Sequence, residues 1–305
     1  MPNEWLAKRV LGYAHQGGAL EAPASTLFAM SAALDAGIVG LELDVRRSAD
    51  GVLVVMHDES VDRTSSGEGR VATLSWDELA QLDNAYWFAQ DSGEVSSAGL
   101  SPESYRYRGL GPSDRAFGVA RFSEVLRSFP SAVINVDIKE ALPNAEPYEG
   151  QVIEEILEAE AENRVMVASF RDSSLFSVRK LRASIATSAG PGEISEFYFA
   201  LAHSMSAAIS LAAAAPYVAF QIPRFYGEIE LPTRQFIEAA HLAGKAVHVW
   251  TVNDLGEMQL LLDRGVDGLI SDRPSVLADA LRSRGCAYRP DRSGIKPMEQ
   301  MRIVP

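Results

Sequence analysis

Eight short apolar runs recur along this chain, and helical stretches separate nearly all of them, a rhythm that few folds accommodate. The runs cover residues 10–14, 40–46, 133–139, 165–170, 185–188, 217–221, 246–251 and 268–271. Helical periodicity occupies 123–129, 148–160, 173–181, 233–243 and 255–264. A first helix opens at Ser25 and repeats apolar residues at Leu27, Met30, Ala33 and Leu34 before Gly37 ends it. Ser75-Trp76-Asp77-Glu78 reads as a capping box ahead of a further short helix. Eight βα units over roughly 250 residues match a TIM (β/α)8 barrel in the α/β class. An open doubly wound sheet is the runner-up, but no Gly-x-Gly-x-x-Gly follows the first run.

One further apolar run, 52–57, breaks the rhythm. It follows the second strand after only 47–51, where Ala49-Asp50-Gly51 supplies turn chemistry. A parallel return needs a crossover of about a dozen residues, so the two runs pair as an antiparallel hairpin. A turn centred near Ala49 and Asp50 brings residue 57 back opposite residues 42 to 44, which sets His57 beside Glu42 and Asp44. Those two carboxylates share a strand face at about 7 Å, where they repel unless a cation or a proton intervenes. A divalent metal answers that repulsion.

The active site of a TIM barrel lies at the C-terminal ends of its strands. His15 ends the first strand, Glu42 and Asp44 lie toward the end of the second, and Asp137 and Lys139 share one face at the end of the next. Three carboxylates, two histidines and a lysine then converge on one mouth. Oxygen-only ligation favours one hard cation, Ca²⁺ or Mg²⁺. Such a mouth suits an anionic phosphoester: the cation and Lys139 neutralise phosphoryl oxygens, while one histidine deprotonates the nucleophile and the other protonates the leaving alcohol.

The remaining stretches bound the organisation. The barrel spans 1–285, a segment at about 84–120 fits no strand–helix period and reads as an inserted lid or subdomain, and 286–305 reads as an extended tail. A net charge of −13 with no Lys/Arg run argues against nucleic acid and anionic membrane surfaces as general partners. No apolar stretch approaches the length of a membrane span, and residues 1–9 lack the apolar core of a secretion signal. Cys286 is the only cysteine, which excludes an intrachain disulfide and a thiolate metal cluster. A cytoplasmic enzyme acting on a small-molecule phosphodiester is the expectation, with homo-oligomerisation left open.

Several motifs, in order, resemble one family. They are His15-Gln16-Gly17, Pro23-Ala24-Ser25-Thr26, Gly40-Leu41-Glu42-Leu43-Asp44-Val45, the run from Asp50 to Asp58, Asp62-Arg63-Thr64, Asp137-Ile138-Lys139, Trp250-Thr251-Val252-Asn253 and the run from Gly268 to Pro274. The series is similar to that of the glycerophosphodiester phosphodiesterases and extends from about Gly12 to Leu277. The resemblance implies metal-dependent hydrolysis of glycerophosphodiesters to glycerol 3-phosphate and an alcohol. It implies His15 and His57 as acid and base, Glu42, Asp44 and Asp137 as metal ligands, and Lys139, Gln16 and Trp250 on the substrate side.

Three positions depart from the family pattern. Gln16 stands where the family usually has arginine, Ala24-Ser25 replace a Glu-Asn pair, and Asp137 replaces a glutamate. Gln16 removes a cation that would grip phosphate bidentately. Arg46, Arg63, Arg106 and Arg108 are the candidates to compensate, and Tyr86, Trp87, Tyr105 and Tyr107 of the insertion read first as packing for the lid, with a cation–π site around a choline-like headgroup as the alternative. A weakly active or non-catalytic diester-binding barrel, and a lyase forming a cyclic phosphate, are the alternatives to a hydrolase.

Overall fold

The computed structural model describes Asn3, Trp5 and residues 10–139 and 146–285. Its strands are β1 (Leu11–His15), β2 (Gly40–Arg47), β3 (Leu53–Val55), β4 (Val133–Ile138), β5 (Val165–Ala168), β6 (Ala186–Thr187), β7 (Ala219–Pro223), β8 (Phe225–Tyr226), β9 (Ile229–Glu230), β10 (Ala246–Trp250) and β11 (Gly268–Ser271). Apart from β3, β8 and β9, they run parallel in the order β6-β5-β4-β2-β1-β11-β10-β7. A parallel bridge between Ser188 and Ala219, with Val218 N donating to Thr187 O at 2.9 Å, brings β6 against β7 and nearly closes the ring. This is the barrel that the sequence rhythm predicts.

The helices are α1 (Leu27–Asp35), α2 (Trp76–Leu79), α3 (Phe122–Ser128), α4 (Glu149–Glu158), α5 (Asp172–Leu181), α6 (Pro191–His203), α7 (Met205–Ala214), α8 (Arg234–Leu242), α9 (Leu255–Arg264) and α10 (Pro274–Ser283). The N-cap of α1 is Thr26, whose hydroxyl accepts from Ala29 N at 3.1 Å. Ser25 does not cap it, because its φ of 60° is left-handed whereas an N-cap is extended. The Ser75–Glu78 capping box forms as expected. Helices α6 and α7 fill the β6–β7 link without a clear sequence signal, since the Ala-rich stretch of α7 carries little contrast between apolar and polar faces.

Strand alternation divides the barrel into two apolar layers. Leu11, Tyr13, Val133, Met166, Ala219, Ala246 and Ile270 form one buried cluster inside the ring. Residues of the opposite face, such as Leu41, Leu43, Ile134, Val136, Val167 and Leu269, pack beneath the helices. On β2 the inward series runs Gly40, Glu42, Asp44, so the interior is apolar toward one end and charged toward the other. Gly40 is required there: a Cβ would lie 2.5 Å from the Tyr13 ring and 2.7 Å from the Gly12 carbonyl.

The hairpin forms with Val45 opposite Val55, Arg46 opposite Val54 and Arg47 opposite Leu53. Strand pairing stops short of residue 57, after Met56 N donates to Asp44 O at 3.0 Å. The segment after α2 is a loop whose ends meet, with Asp83 bridged to Gly118 and Asn84 N donating to Phe117 O at 2.9 Å. It docks on α1 through Phe28, whose ring lies 4.7 Å from Phe117 and 5.0 Å from Tyr107. The tail at 286–305 lies outside the described residues. Among the described residues, no helix is long and apolar enough to cross a membrane.

Candidate active site

His15 closes β1 and is followed by three left-handed residues, Gln16 (φ 50°), Gly17 (φ 83°) and Gly18 (φ 101°). Gly18 also makes a close approach, because a Cβ there would lie 2.6 Å from Pro274. The turn leaves His15 Nδ1 2.6 Å from Asp272 Oδ1. Asp272 is held in turn by Asn253, whose Nδ2 donates to Oδ2 at 2.8 Å and whose Oδ1 accepts from Asp272 N at 2.8 Å. With Nδ1 engaged, Nε2 faces the mouth, 3.8 Å from Glu42 Oε2. Burial disfavours the imidazolium, but Glu42, the Asp272 hydrogen bond and Asp44 outweigh it and raise the His15 pKa to about 9.

His57 is held in a similar way from the hairpin. Its Nδ1 lies 2.7 Å from Asp58 Oδ1, and Arg63 grips the same carboxylate with Nε at 2.5 Å and Nη2 at 3.0 Å. Burial works against the Asp58 carboxylate, yet His57 and Arg63 hold its pKa below the usual range. The two histidine rings stand edge to face with centroids 6.3 Å apart. The hairpin register expected from the sequence therefore brings His57 to His15 and the acidic strand.

Asp44 and Asp137 are register partners on neighbouring strands, and Lys139 Nζ lies 2.7 Å from Asp44 Oδ1 and 2.7 Å from Asp137 Oδ2. Burial opposes the ammonium, but the two carboxylates raise its pKa and keep it charged. Burial pushes the carboxyls of Glu42 and Asp137 up, with Asp44 adding repulsion to both and Lys139 opposing. Asp44 Oδ2 and Asp137 Oδ1 are buried with no hydrogen-bond partner among the described residues. Hard oxygens left over on two adjacent inward carboxylates fit a divalent cation in donor type and neighbourhood. As placed, no three His, Cys, Asp or Glu side chains among the described residues close on a single metal position, and Lys139 supplies the neutralising charge.

Gln16 is buried against this cluster. Its backbone N donates to Glu42 Oε2 at 3.3 Å, its Nε2 lies 3.5 Å from His15 Nε2, and its Oε1 has no partner. Of the arginines proposed to compensate for it, Arg46 bonds the His57 carbonyl and Arg63 grips Asp58, while the exposed Arg106 lies 5.5 Å from the Tyr107 ring. Arg108 lies 4.4, 4.8 and 3.5 Å from the centroids of Tyr86, Trp87 and Tyr105, so the aromatic box suggested for a headgroup contains the chain's own cation. Tyr107 instead stacks on Phe117 and Phe88. Trp250 ends β10 and meets the exposed Phe170 ring at 5.6 Å, and Lys139 Nζ lies 5.8 Å from that ring.

Sequence reasoning gave no role to Asp272, Asn253 or Asp58 and read Arg63 only as a candidate phosphate contact, although all four fall in its motifs. A signal for Asp272 was available. A barrel closes by pairing its last strand with its first, and continuing the Ala14–Ser271 register by one residue sets His15 beside Asp272.

A ring of βα units carries two aspartate-held histidines and a charged, carboxylate-lined mouth at the C-terminal ends of its strands. Residues 15–276 match the glycerophosphoryl diester phosphodiesterase family, and the chain belongs to that family. It is 29% identical over 279 residues to the glycerophosphodiester phosphodiesterase of Caldanaerobacter subterraneus subsp. tengcongensis, covering 91% of this chain and 100% of that one. Its fold is similar to the glycerophosphoryl diester phosphodiesterase domain of a Mycobacterium tuberculosis protein, with a TM-score of 0.71 at 18% identity over 90% of this chain and 100% of that one. It is also similar to an Oleispira antarctica phosphodiesterase solved with the product sn-glycerol-3-phosphate, with a TM-score of 0.63 at 22% identity over 90% and 97% of the two chains.

Proposed function

We propose that this chain hydrolyses glycerophosphodiesters to glycerol 3-phosphate and an alcohol, with His15 and His57 as the acid and base. The observation that carries this reading is the pair of histidines, each with Nδ1 fixed by an aspartate and with rings 6.3 Å apart, beside three inward carboxylates and a lysine. Each ring presents Nε2 for proton transfer because its other nitrogen is engaged. His15, its Nδ1 held by Asp272, gives the proton on Nε2 to the leaving alcohol as the P–O bond breaks. His57 takes a proton from the water whose oxygen bonds to phosphorus. Lys139 neutralises phosphoryl charge, and Gln16 and Trp250 contact the substrate. Glu42, Asp44 and Asp137 would hold a divalent cation, Ca²⁺ or Mg²⁺, which supplies Lewis-acid stabilisation of the phosphoryl oxygens when bound. The loop closed by Asp83 and Gly118 serves as the inserted lid of this barrel.

The test is product analysis on a panel of glycerophosphodiesters with and without a chelator. Release of glycerol 3-phosphate that stops on chelation is expected. A cyclic phosphate in the phosphorus NMR spectrum would identify a lyase instead, and tight binding without turnover would identify a binding barrel.

Gln16 leaves position 16 without the bidentate cation of the family pattern, while Arg63 is engaged by Asp58 and Arg108 by its aromatic neighbours. Gln16→Arg is therefore expected to raise kcat/KM. One charge-assisted hydrogen bond acting in the transition state contributes about 1.5–3 kcal/mol, or roughly ten- to a hundredfold. Steady-state kinetics on the variant check it, and an unchanged or lower kcat/KM would show that position 16 does not govern the phosphate.

A further inference from the structure

The two histidines differ in how their main chains are held. His15 lies within β1, between ladders to β2 and β11. His57 lies beyond the end of β3, and the last backbone bond before it is the one from Met56 N to Asp44 O. Among the described residues, no strand N–H takes the His57 carbonyl. Arg46 takes it instead, with Nε at 3.1 Å and Nη2 at 2.9 Å.

The sequence arranges this economically. Glu42, Asp44 and Arg46 alternate along β2 and so share its inward face, and Arg46 pairs with Val54 three residues before His57. A guanidinium is planar and always charged, and two of its N–H groups directed at one oxygen fix direction as well as distance. An ammonium offers a point charge without that geometry. Asp58 and Arg63 fix the ring of His57, but they belong to the same polar turn as His57 and follow it if the turn shifts. Arg46 ties His57 itself back to the barrel strand that carries Glu42 and Asp44, one residue beyond the Met56–Asp44 backbone bond.

We propose that Arg46 is a positioning residue for His57, replacing the missing strand ladder and fixing the main chain from which the ring extends. The proposal rests on the reading of His57 as an acid/base group. It assigns Arg46 a task other than the phosphate contact that its charge suggests.

The experiment compares kcat and KM for glycerophosphodiester hydrolysis in wild type, Arg46→Lys, Arg46→Ala and His57→Ala, each checked by thermal melting. Misplacing a reacting group by about 1 Å can lower a rate roughly a hundredfold. Both Arg46 variants are expected to lose about ten- to a hundredfold in kcat with KM nearly unchanged. Millimolar guanidinium is expected to restore part of kcat in Arg46→Ala and none in His57→Ala. Arg46→Lys carries the test if the alanine variant fails to fold. Wild-type kcat in Arg46→Lys, or a loss confined to KM, would overturn the proposal and make Arg46 a charge contact with phosphate. An active His57→Ala would overturn the acid/base assignment itself, whereas an inactive His57→Ala beside an unimpaired Arg46→Lys would overturn only the role of Arg46.

Discussion

Replacing either histidine by alanine is expected to lower kcat by a factor of about 10²–10⁴, the usual range for a positioned general acid or base. The His57 side chain is 39% exposed and the His15 side chain 21%, so neither is part of the apolar core and the fold should survive both changes. The stronger stability effect belongs to His15, whose removal leaves the buried Asp272 without the partner at 2.6 Å that helps keep it ionised. His57→Ala leaves Asp58 still gripped by Arg63. The two variants should therefore match in lost activity and differ in melting temperature. Initial rates together with melting curves check both halves, and full activity in either variant would remove that histidine from the mechanism.

The second large effect concerns Lys139. Its ammonium sits between Asp44 and Asp137, with side-chain exposures of 15% for the lysine, 1% for Asp44 and 7% for Asp137. Lys139→Met keeps most of the aliphatic stem but removes the charge, leaving two inward carboxylates on neighbouring strands. Breaking a buried ion pair from one side costs about 3–5 kcal/mol, because the remaining charge is uncompensated. At roughly 2–4 °C per kcal/mol for a chain of this order, the melting temperature in chelator should fall by about 6 °C or more. If Asp44 and Asp137 are cation ligands, Ca²⁺ should recover much of that loss, since an ion that binds only the folded state stabilises it by mass action. Differential scanning calorimetry with chelator and then with Ca²⁺ reads both effects. A variant that melts like wild type in chelator would show that the pair is not load-sharing with Lys139.

Both predictions depend on features of unequal visibility in the sequence. The barrel was legible because a βα rhythm repeats over most of the chain and one short connection, 47–51, cannot cross over. The placement of His57 followed from that connection alone, and the observed pairing of Val45 with Val55 agrees with it. The inward carboxylates were legible because strand alternation is strict. What stayed hidden depended on side-chain partnerships across distant segments. Asp272 meets His15 only once the ring closes, and Arg46 reads as a spare cation until the hairpin shows an unclaimed carbonyl at His57. Tyr86, Trp87 and Tyr105 pack within the insertion, the preferred reading of its aromatic residues, but that the cation they surround is Arg108 was not visible in sequence. The cap of α1 moved from Ser25 to Thr26 because the preceding turn drives Ser25 into a left-handed backbone, which composition does not reveal.

The central claim is that a cation held by carboxylates and a pair of histidines act on one phosphoryl group in one mouth. A crystal soaked with Ca²⁺ and glycerol 3-phosphate tests it most directly. Density for the ion is expected among the oxygens of Glu42, Asp44 and Asp137, with the phosphate within hydrogen-bond reach of His15, His57 and Lys139. An ion bound away from those carboxylates, or a phosphate seated outside the reach of both histidines, would contradict it.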